Sequence, residues 1–319
     1  MTAEPPPQAV VLVSIDAELA GQRIDNFLLA RARGVPRSHV YRILRRGEVR
    51  VNKGRVKPDY RLQPGDLVRI PPLRTVEPRP PGEAPESRLR GLAGAILYED
   101  ERLLVLDKPA GLAVHGGSGL SFGLIEAMRQ LRPGAELELV HRLDRDTSGC
   151  LLLAKRASTL RDLHRLMREN GVEKRYLALL VRPLPRPEMT LDAPLLKNTL
   201  KSGERVVRVD TAQGKPARTQ FRRLRRLGDL DLVEARLITG RTHQIRVHAA
   251  HLGAPVAGDE KYGDEAANKA LRALGLRRLF LHAASLELQP AHLDQPLRLQ
   301  APLPAELEAL LGRLEAIKK

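Results

Sequence analysis

Residues 141–155 read HRLDRDTSGCLLLAK, a polar, turn-forming segment that runs directly into an apolar stretch. Asp144 to Gly149 supplies the turn, because Asp, Thr and Ser hydrogen-bond nearby backbone and Gly tolerates its sharp reversals. Cys150 to Ala154 carries no charged side chain and reads as a buried strand. This order places Asp144 at the edge of a sheet, beside Arg142. A carboxylate there can act as nucleophile, as general base or as metal ligand. It can also do no more than cap the turn. A metal would draw on Asp144 and Asp146, yet no further carboxylates cluster nearby in sequence.

Outward from this stretch, residues 95–319 contain many β-favouring runs, among them LLVLDKP, KRYLALLV, LDLVEARLI and LFLHAASLEL. Amphipathic helices are fewer and are expected at 123–131, 159–170 and 305–317. The class is α+β with a large mixed, mainly antiparallel sheet, and there is no internal repeat. Upstream, residues 75–94 (TVEPRPPGEAPESRLRGLAG) are rich in Pro and Gly and read as a semi-rigid linker. Residues 21–74 form a separate module. Ile24, Phe27 and Leu28 recur at helical spacing, and a second helix buries Val40, Ile43 and Leu44 while Arg42, Arg45 and Arg46 point elsewhere. Gly47 is placed to end that helix, and short strands follow at 48–51 and 66–70. Residues 1–20 are left as an N-terminal tail.

At 319 residues the chain is long enough for one sizeable core and a smaller module. Its 54 Lys and Arg against 38 Asp and Glu leave a net charge of +16, of which residues 21–74 hold +10. Such concentration favours a polyanionic partner over a mere bias in composition, nucleic acid first. One cysteine, Cys150, allows neither an intramolecular disulfide nor a zinc knuckle. No stretch approaches the roughly 20 apolar residues of a spanning helix, and Met1 to Pro7 do not form a secretion signal. A cytoplasmic protein with no membrane attachment is expected.

Two resemblances sharpen these readings. RIDNFLL, SHVYRILRRGEVRVN and LQPGDLVRI resemble the alpha-L RNA-binding domain of the ribosomal protein S-four type. That implies RNA contact by Arg37, Arg42, Arg45, Arg46, Lys53 and Lys57. HRLDRDTSG, with LDKPAGLAVH, KRYLAL and TGRTHQIRVH in that order, is similar to the RluA-type pseudouridine synthases. Within that family the likeness is greatest to members acting on large-subunit ribosomal RNA, through segments such as HGGSGLSFGLIEAMR and SGERVVRV.

The resemblance implies that uridines of 23S ribosomal RNA, or of a large-subunit assembly intermediate, are isomerised to pseudouridine. A monomer acting without cofactor or metal is expected. Asp144 would be the catalytic carboxylate, Arg142 would fill the space left by the flipped nucleotide, and Tyr176 would stack on uracil and help remove the proton from carbon 5. Arg246 would pair with Asp144, keeping it ionised and oriented. Lys108 and His115 either line the pocket or shape a turn, and Ile245 is placed in the pocket.

Physical chemistry asks for such a set. A base must be extruded from folded RNA at a cost of about a few kcal/mol, and a side chain must take its place. His243, His248 and His251 invite a zinc reading, but no Cys or close acidic residue joins them, and polar packing or RNA contact around Arg246 fits better. Two alternatives remain. A non-catalytic RNA-binding assembly factor of this fold would be expected to lack Asp144, and a methyltransferase would be expected to carry a Gly-rich nucleotide loop after its first strand.

Overall fold

The structure, a computed structural model, describes residues 10–32, 35, 37–73, 83–116, 122–199 and 205–317. The chain divides into two compact units, Met1–Gly82 and Glu83–Lys319.

The first unit comprises β1 (Val11–Ser14), α1 (Ile24–Arg31), α2 (Arg37–Arg46), β2 (Arg50–Val51) and β3 (Leu67–Ile70), with strand order β1-β3-β2. Ile24, Phe27 and Leu28 of α1 and Val40, Ile43 and Leu44 of α2 are buried together with Val49, Leu62 and Val68. Burial of this stripe is what holds two short helices that would be marginal alone. Asn52 and Lys53 turn the chain through left-handed conformations (φ 48° and 67°). Buried Asp66 ties the turns together by accepting from Asn52 Nδ2, Tyr60 Oη and the Gln63 amide.

The second unit begins with α3 (Glu86–Ala93), β4 (Ile96–Glu99), β5 (Leu103–Lys108), α4 (Leu124–Leu131), β6 (Glu138–Leu139), β7 (Ser148–Ala154) and α5 (Ala157–Arg168). It continues through β8 (Val172–Leu180), β9 (Glu188–Asp192), β10 (Leu195–Thr199), β11 (Arg205–Val209), β12 (Arg218–Leu227) and β13 (Leu230–Leu237). The last elements are α6 (Gln244–His251), α7 (Glu265–Ala273), β14 (Leu281–Leu288), β15 (Leu297–Gln300) and α8 (Ala305–Ile317).

Ten strands form one sheet along the path β4-β5-β7-β14-β8-β13-β12-β9, with β15 beside β14 and β6 beside β7. Its pairs are antiparallel except β7 with β14. Central strands are covered on both faces, which explains their unbroken apolar runs. Leu104, Leu106, Leu151 and Leu153 pack with α4, whereas Leu103, Val105, Cys150 and Leu152 pack on the opposite side with Leu163 of α5.

Gly149 opens the way for the parallel pairing. Its φ is +106°, and a Cβ there would stand 2.3 Å from the Ala283 carbonyl oxygen. Only glycine lets β7 approach β14 so closely directly after the Asp144 turn.

Two boundaries differ from expectation. Residues 1–20 read as a tail, but Val11–Ser14 pair with β3 as an edge strand, Val11 opposite Ile70. The β-favouring residues VLVS remain largely exposed there, so burial gave no pattern to read. The stretch 75–94 was assigned to a linker, but Glu86–Ala93 is helical within the second unit, with Leu92 in its core. Its remainder up to residue 82 lies outside the described residues, save that Met1–Gly82 is the first unit.

Candidate active site

The Asp144 turn is fixed from below by backbone. The Thr147 amide donates to the Asp144 carbonyl at 3.2 Å. The Arg145 carbonyl accepts from the Gly111 amide at 2.9 Å and from Lys108 Nζ at 3.0 Å. Lys108 also donates to the Pro109 and Leu112 carbonyls, each at 2.8 Å. It is fully buried, and burial pushes its pKa down to about 7 against the pull of Asp146 and Asp144. Lys108 therefore stitches two loops together and does not line the cavity that contains Asp144. His141, two residues along from Leu139 of β6, accepts from the Leu152 amide through Nε2 at 3.1 Å. Burial and the nearby Lys174 charge push it down to about 3, so it is a neutral structural ring.

Above the turn lies a cavity of about 350 Å³, within the usual range for a ligand site. Among the described residues lining it, Asp144 is the one carboxylate, faced by Arg142, Arg168, Lys174, Arg241 and Arg246. Tyr176 from β8 forms part of its wall, with Ile245, Leu237 and Leu281. Burial, with the Asp144 charge, pushes the Tyr176 hydroxyl far above its ordinary value, so it stays a phenol. Arg142 is exposed at the rim, and its guanidinium has no ion-pair or hydrogen-bond partner among the described residues. His115 is exposed and is not part of the lining.

Helix α6 delivers the cation. Gln244 anchors the start of that helix, accepting from Thr239 Oγ1 and the Arg241 amide while donating to the Arg218 carbonyl and Thr219 Oγ1. Arg246, two residues on, meets Asp144 Oδ2 through Nη1 at 3.4 Å. Its principal partner is Asp259: Nε donates at 2.7 Å and Nη2 at 2.8 Å to that fully buried carboxylate. Arg246 thus meets Asp144 through one nitrogen only, because the planar guanidinium fork is already matched to Asp259.

Asp259 Oδ1 also accepts from the Lys261 and Tyr262 amides. Burial pushes Asp259 up, but these bonds and the Arg246 charge outweigh it and hold it below the usual carboxylate range.

From sequence, His243 falls around Arg246 as polar packing or an RNA contact, and Tyr262 and Asp259 have no place in the site. His243 Nε2 lies 3.8 Å from Asp144 Oδ1, and its φ of +54° is left-handed. Tyr262 lies under the Arg246 guanidinium, 5.1 Å from its ring centroid. Asp259 stands in GDEKYG, where glycines flank an acid and an aromatic residue; that pattern was the available signal. His248 is engaged by Thr219 Oγ1 and the Ala193 carbonyl, at 2.9 and 3.0 Å, and His251 is exposed on the same helix.

In the first unit Arg42, Arg45 and Arg46 are exposed along α2, and Lys53 and Lys57 are exposed on the loop after β2. The Arg37 side chain lies outside the described residues.

A pocket of cations around one carboxylate, walled by an aromatic ring, in a chain that also carries a compact basic unit, is an arrangement suited to binding and acting on nucleic acid. The sequence matches the RNA pseudouridylate synthase family over residues 102–251 and the S4 domain over residues 22–68. It is 54% identical over 313 residues to the ribosomal large subunit pseudouridine synthase C of Pasteurella multocida, covering 98% of this chain and 96% of that one. The protein of the same description from Escherichia coli K12 is 52% identical, with 96% and 97% covered. Among solved structures, human RNA pseudouridylate synthase domain containing 4 superposes with a TM-score of 0.59 at 31% identity, over 72% of this chain and 95% of that one. The chain belongs to the RNA pseudouridylate synthase family and is a pseudouridine synthase.

Proposed function

We propose that this enzyme isomerises uridine to pseudouridine in 23S ribosomal RNA, with Asp144 as the catalytic carboxylate. The observation that carries the reading is the position of Asp144 as the one carboxylate of a cationic cavity that Tyr176 walls. Relatives more than half identical to this chain are described as ribosomal large subunit pseudouridine synthase C. In this reading the target base leaves its stack, at a cost of about a few kcal/mol, and Arg142 takes its place at the rim. Uracil enters the cavity against Tyr176, and Arg246 and Asp259 hold the geometry around Asp144.

Asp144 then acts on the nucleoside while the bond from nitrogen 1 to the ribose breaks. The uracil rotates, carbon 5 bonds to the ribose, carbon 5 loses its proton and nitrogen 1 gains one. The product is an isomer of the substrate, so no cofactor is consumed. As a phenol, Tyr176 offers a stacking face and one hydrogen bond and does not serve as a resident phenolate base. Arg42, Arg45, Arg46, Lys53 and Lys57 supply phosphate contacts from the first unit. The reading includes a monomer, and the substrate favours a cytoplasmic setting. No helix among the described residues is long and apolar enough to cross a membrane.

Pseudouridine mapping of ribosomal RNA from cells with and without the gene tests the reading. Loss of defined pseudouridines from 23S RNA is expected. An unchanged map would overturn the substrate assignment.

A further inference from the structure

The β10–β11 hairpin is joined to the catalytic carboxylate through two side chains. Its inner residues Leu195 and Val207 are buried with Ala217 and with Val247 of α6, so the backbone at Val207 is fixed against the helix. The Val207 amide donates to Tyr262 Oη at 3.1 Å. The same oxygen lies 2.8 Å from His243 Nδ1. A phenol has one hydrogen, and with its oxygen already accepting from Val207, donation of that hydrogen to Nδ1 uses both of its roles. Nδ1 is then the acceptor, and a neutral His243 ring carries its proton on Nε2.

Nε2 is the atom that faces Asp144, 3.8 Å from Oδ1, while Arg246 Nη1 stands 3.4 Å from Oδ2. Each carboxylate oxygen thus faces its own donor. The opposite tautomer would turn a lone pair toward a carboxylate, which is repulsive. Burial and the charges of Arg246 and Lys261 push His243 down, against the pull of Asp144 and Asp259, which keeps the ring neutral near pH 7. The left-handed backbone at His243 is uncommon for a residue with a side chain and aims the ring from the start of α6. Tyr262 is itself held from both sides, with the His243 ring at its edge, centroids 5.5 Å apart, and the Arg246 guanidinium over its face.

We propose that Val207, Tyr262 and His243 form a hydrogen-bond chain that holds His243 in its Nε2–H form and aims it at Asp144, tying the hairpin to the catalytic carboxylate. Tyr262 and His243 are then positioning residues that act through Asp144, and the proposal rests on Asp144 as the catalytic group. At 3.8 Å the last link is longer than a hydrogen bond, and catalytic hydrogen bonds commonly tighten only when substrate is bound.

The test is the tautomer of His243 in full-length protein labelled with nitrogen-15 histidine, read by two-bond proton–nitrogen correlation at pH 7.5. The signal is assigned by its loss in His243→Gln. The wild type is expected to show the Nε2–H form, and Tyr262→Phe a mixture with Nδ1–H. Tyr262→Phe is also expected to lose about tenfold in turnover, the effect of one hydrogen bond, with RNA affinity within about twofold. His243→Gln, whose amide can still donate toward Asp144 and accept from Tyr262, is expected to retain more turnover than His243→Ala.

An Nδ1–H or doubly protonated His243 in the wild type would overturn the proposal without any variant needing to fold. So would a Tyr262→Phe protein with unchanged tautomer and rate. Absence of turnover in the wild type itself would count instead against the functional reading.

Discussion

Arg246 and Asp259 form a two-pronged ion pair, with contacts of 2.7 and 2.8 Å, and this pair decides where the remaining guanidinium nitrogen meets Asp144. Asp259 is fully buried, so removing its charge leaves Arg246 partly desolvated and without its main partner.

Asp259→Asn is therefore expected to lower stability at pH 7 by about 3 kcal/mol in urea unfolding, as for other broken buried pairs. Turnover should fall about a hundredfold, the scale of an ångström-sized displacement at the reacting groups. The sign of the pH effect follows from the depressed Asp259 pKa. A depressed carboxylate stabilises the fold above its unfolded value and loses that contribution as pH falls through its folded value. The stability gap between wild type and Asp259→Asn should thus narrow only in the acid range below the ordinary value of 3.8. A gap that stays constant on acidification would contradict the pairing.

Lys108 titrates in the opposite region. With its native pKa pushed down to about 7 from an ordinary 10.5, unfolded chains hold a proton between these values that native chains have released. Stability relative to Lys108→Met should rise with pH across that window, with a slope of up to about 1.4 kcal/mol per pH unit. Proton uptake on unfolding at pH 8.5, measured in buffers of different ionisation enthalpy, should exceed that of Lys108→Met by close to one proton, the neutral native amine keeping two of its three carbonyl partners at that pH. Equal uptake would show that Lys108 is protonated in the native state at that pH. The variant should also lose turnover, since Lys108 holds the Arg145 carbonyl in the turn that carries Asp144.

Tyr176 gives a separable result. Its hydroxyl is far above its ordinary value through burial and the Asp144 charge, so no phenolate forms in the working pH range. Tyr176→Phe is expected to keep RNA affinity within about twofold, because base stacking needs only the ring. The alkaline limb of its activity profile should match that of wild type up to pH 10. Tyr176→Ala should weaken binding by about 1–3 kcal/mol, the usual worth of one stacked base. An alkaline limb present in wild type and absent in Tyr176→Phe would reinstate the hydroxyl as a proton acceptor.

Legibility in the sequence followed the length and regularity of each signal. The turn and strand at 141–155, the stripe of Val40, Ile43 and Leu44, and the helix at 305–317 were readable because local pattern and tertiary burial agree there. Helix α6 carries no clear helical pattern, since its buried face mixes Gln244, Ile245 and His248, and the His248 ring and the Gln244 amide nitrogen are satisfied by distant partners such as Thr219, Ala193 and Arg218. Strand β1 was missed because an exposed edge has no alternation to display. Arg246 was found through a local motif, but its partner Asp259 was not. A bidentate clamp is a three-dimensional fact, and a lone Asp between Gly258 and Glu260 reads equally as a turn.

The two units predict a division of labour. Each has its own hydrophobic core, and the residues of the candidate site lie in Glu83–Lys319. A fragment of residues 83–319 is expected to isomerise uridine in a short RNA at high concentration. It should bind large-subunit RNA more weakly and with a shallower dependence of log affinity on log salt, because fewer counterions are released. Replacing Arg42, Arg45 and Arg46 together by Ala should reproduce much of that loss. Equal affinity and equal salt slope in the fragment would show that the first unit is not the RNA anchor.

The central claim is that Asp144 is the group on which the reaction depends. Rejoining at carbon 5 expels its hydrogen, so purified protein should release tritium from RNA carrying 5-tritiated uridine, with no added cofactor. Asp144→Asn replaces one side-chain oxygen by an amide nitrogen on a side chain that is 19% exposed, and it should leave the fold intact by circular dichroism and thermal unfolding. Its tritium release is expected below about one per cent of wild type, since loss of a catalytic nucleophile or base normally costs several orders of magnitude. Release by Asp144→Asn at a rate near that of wild type would contradict the account.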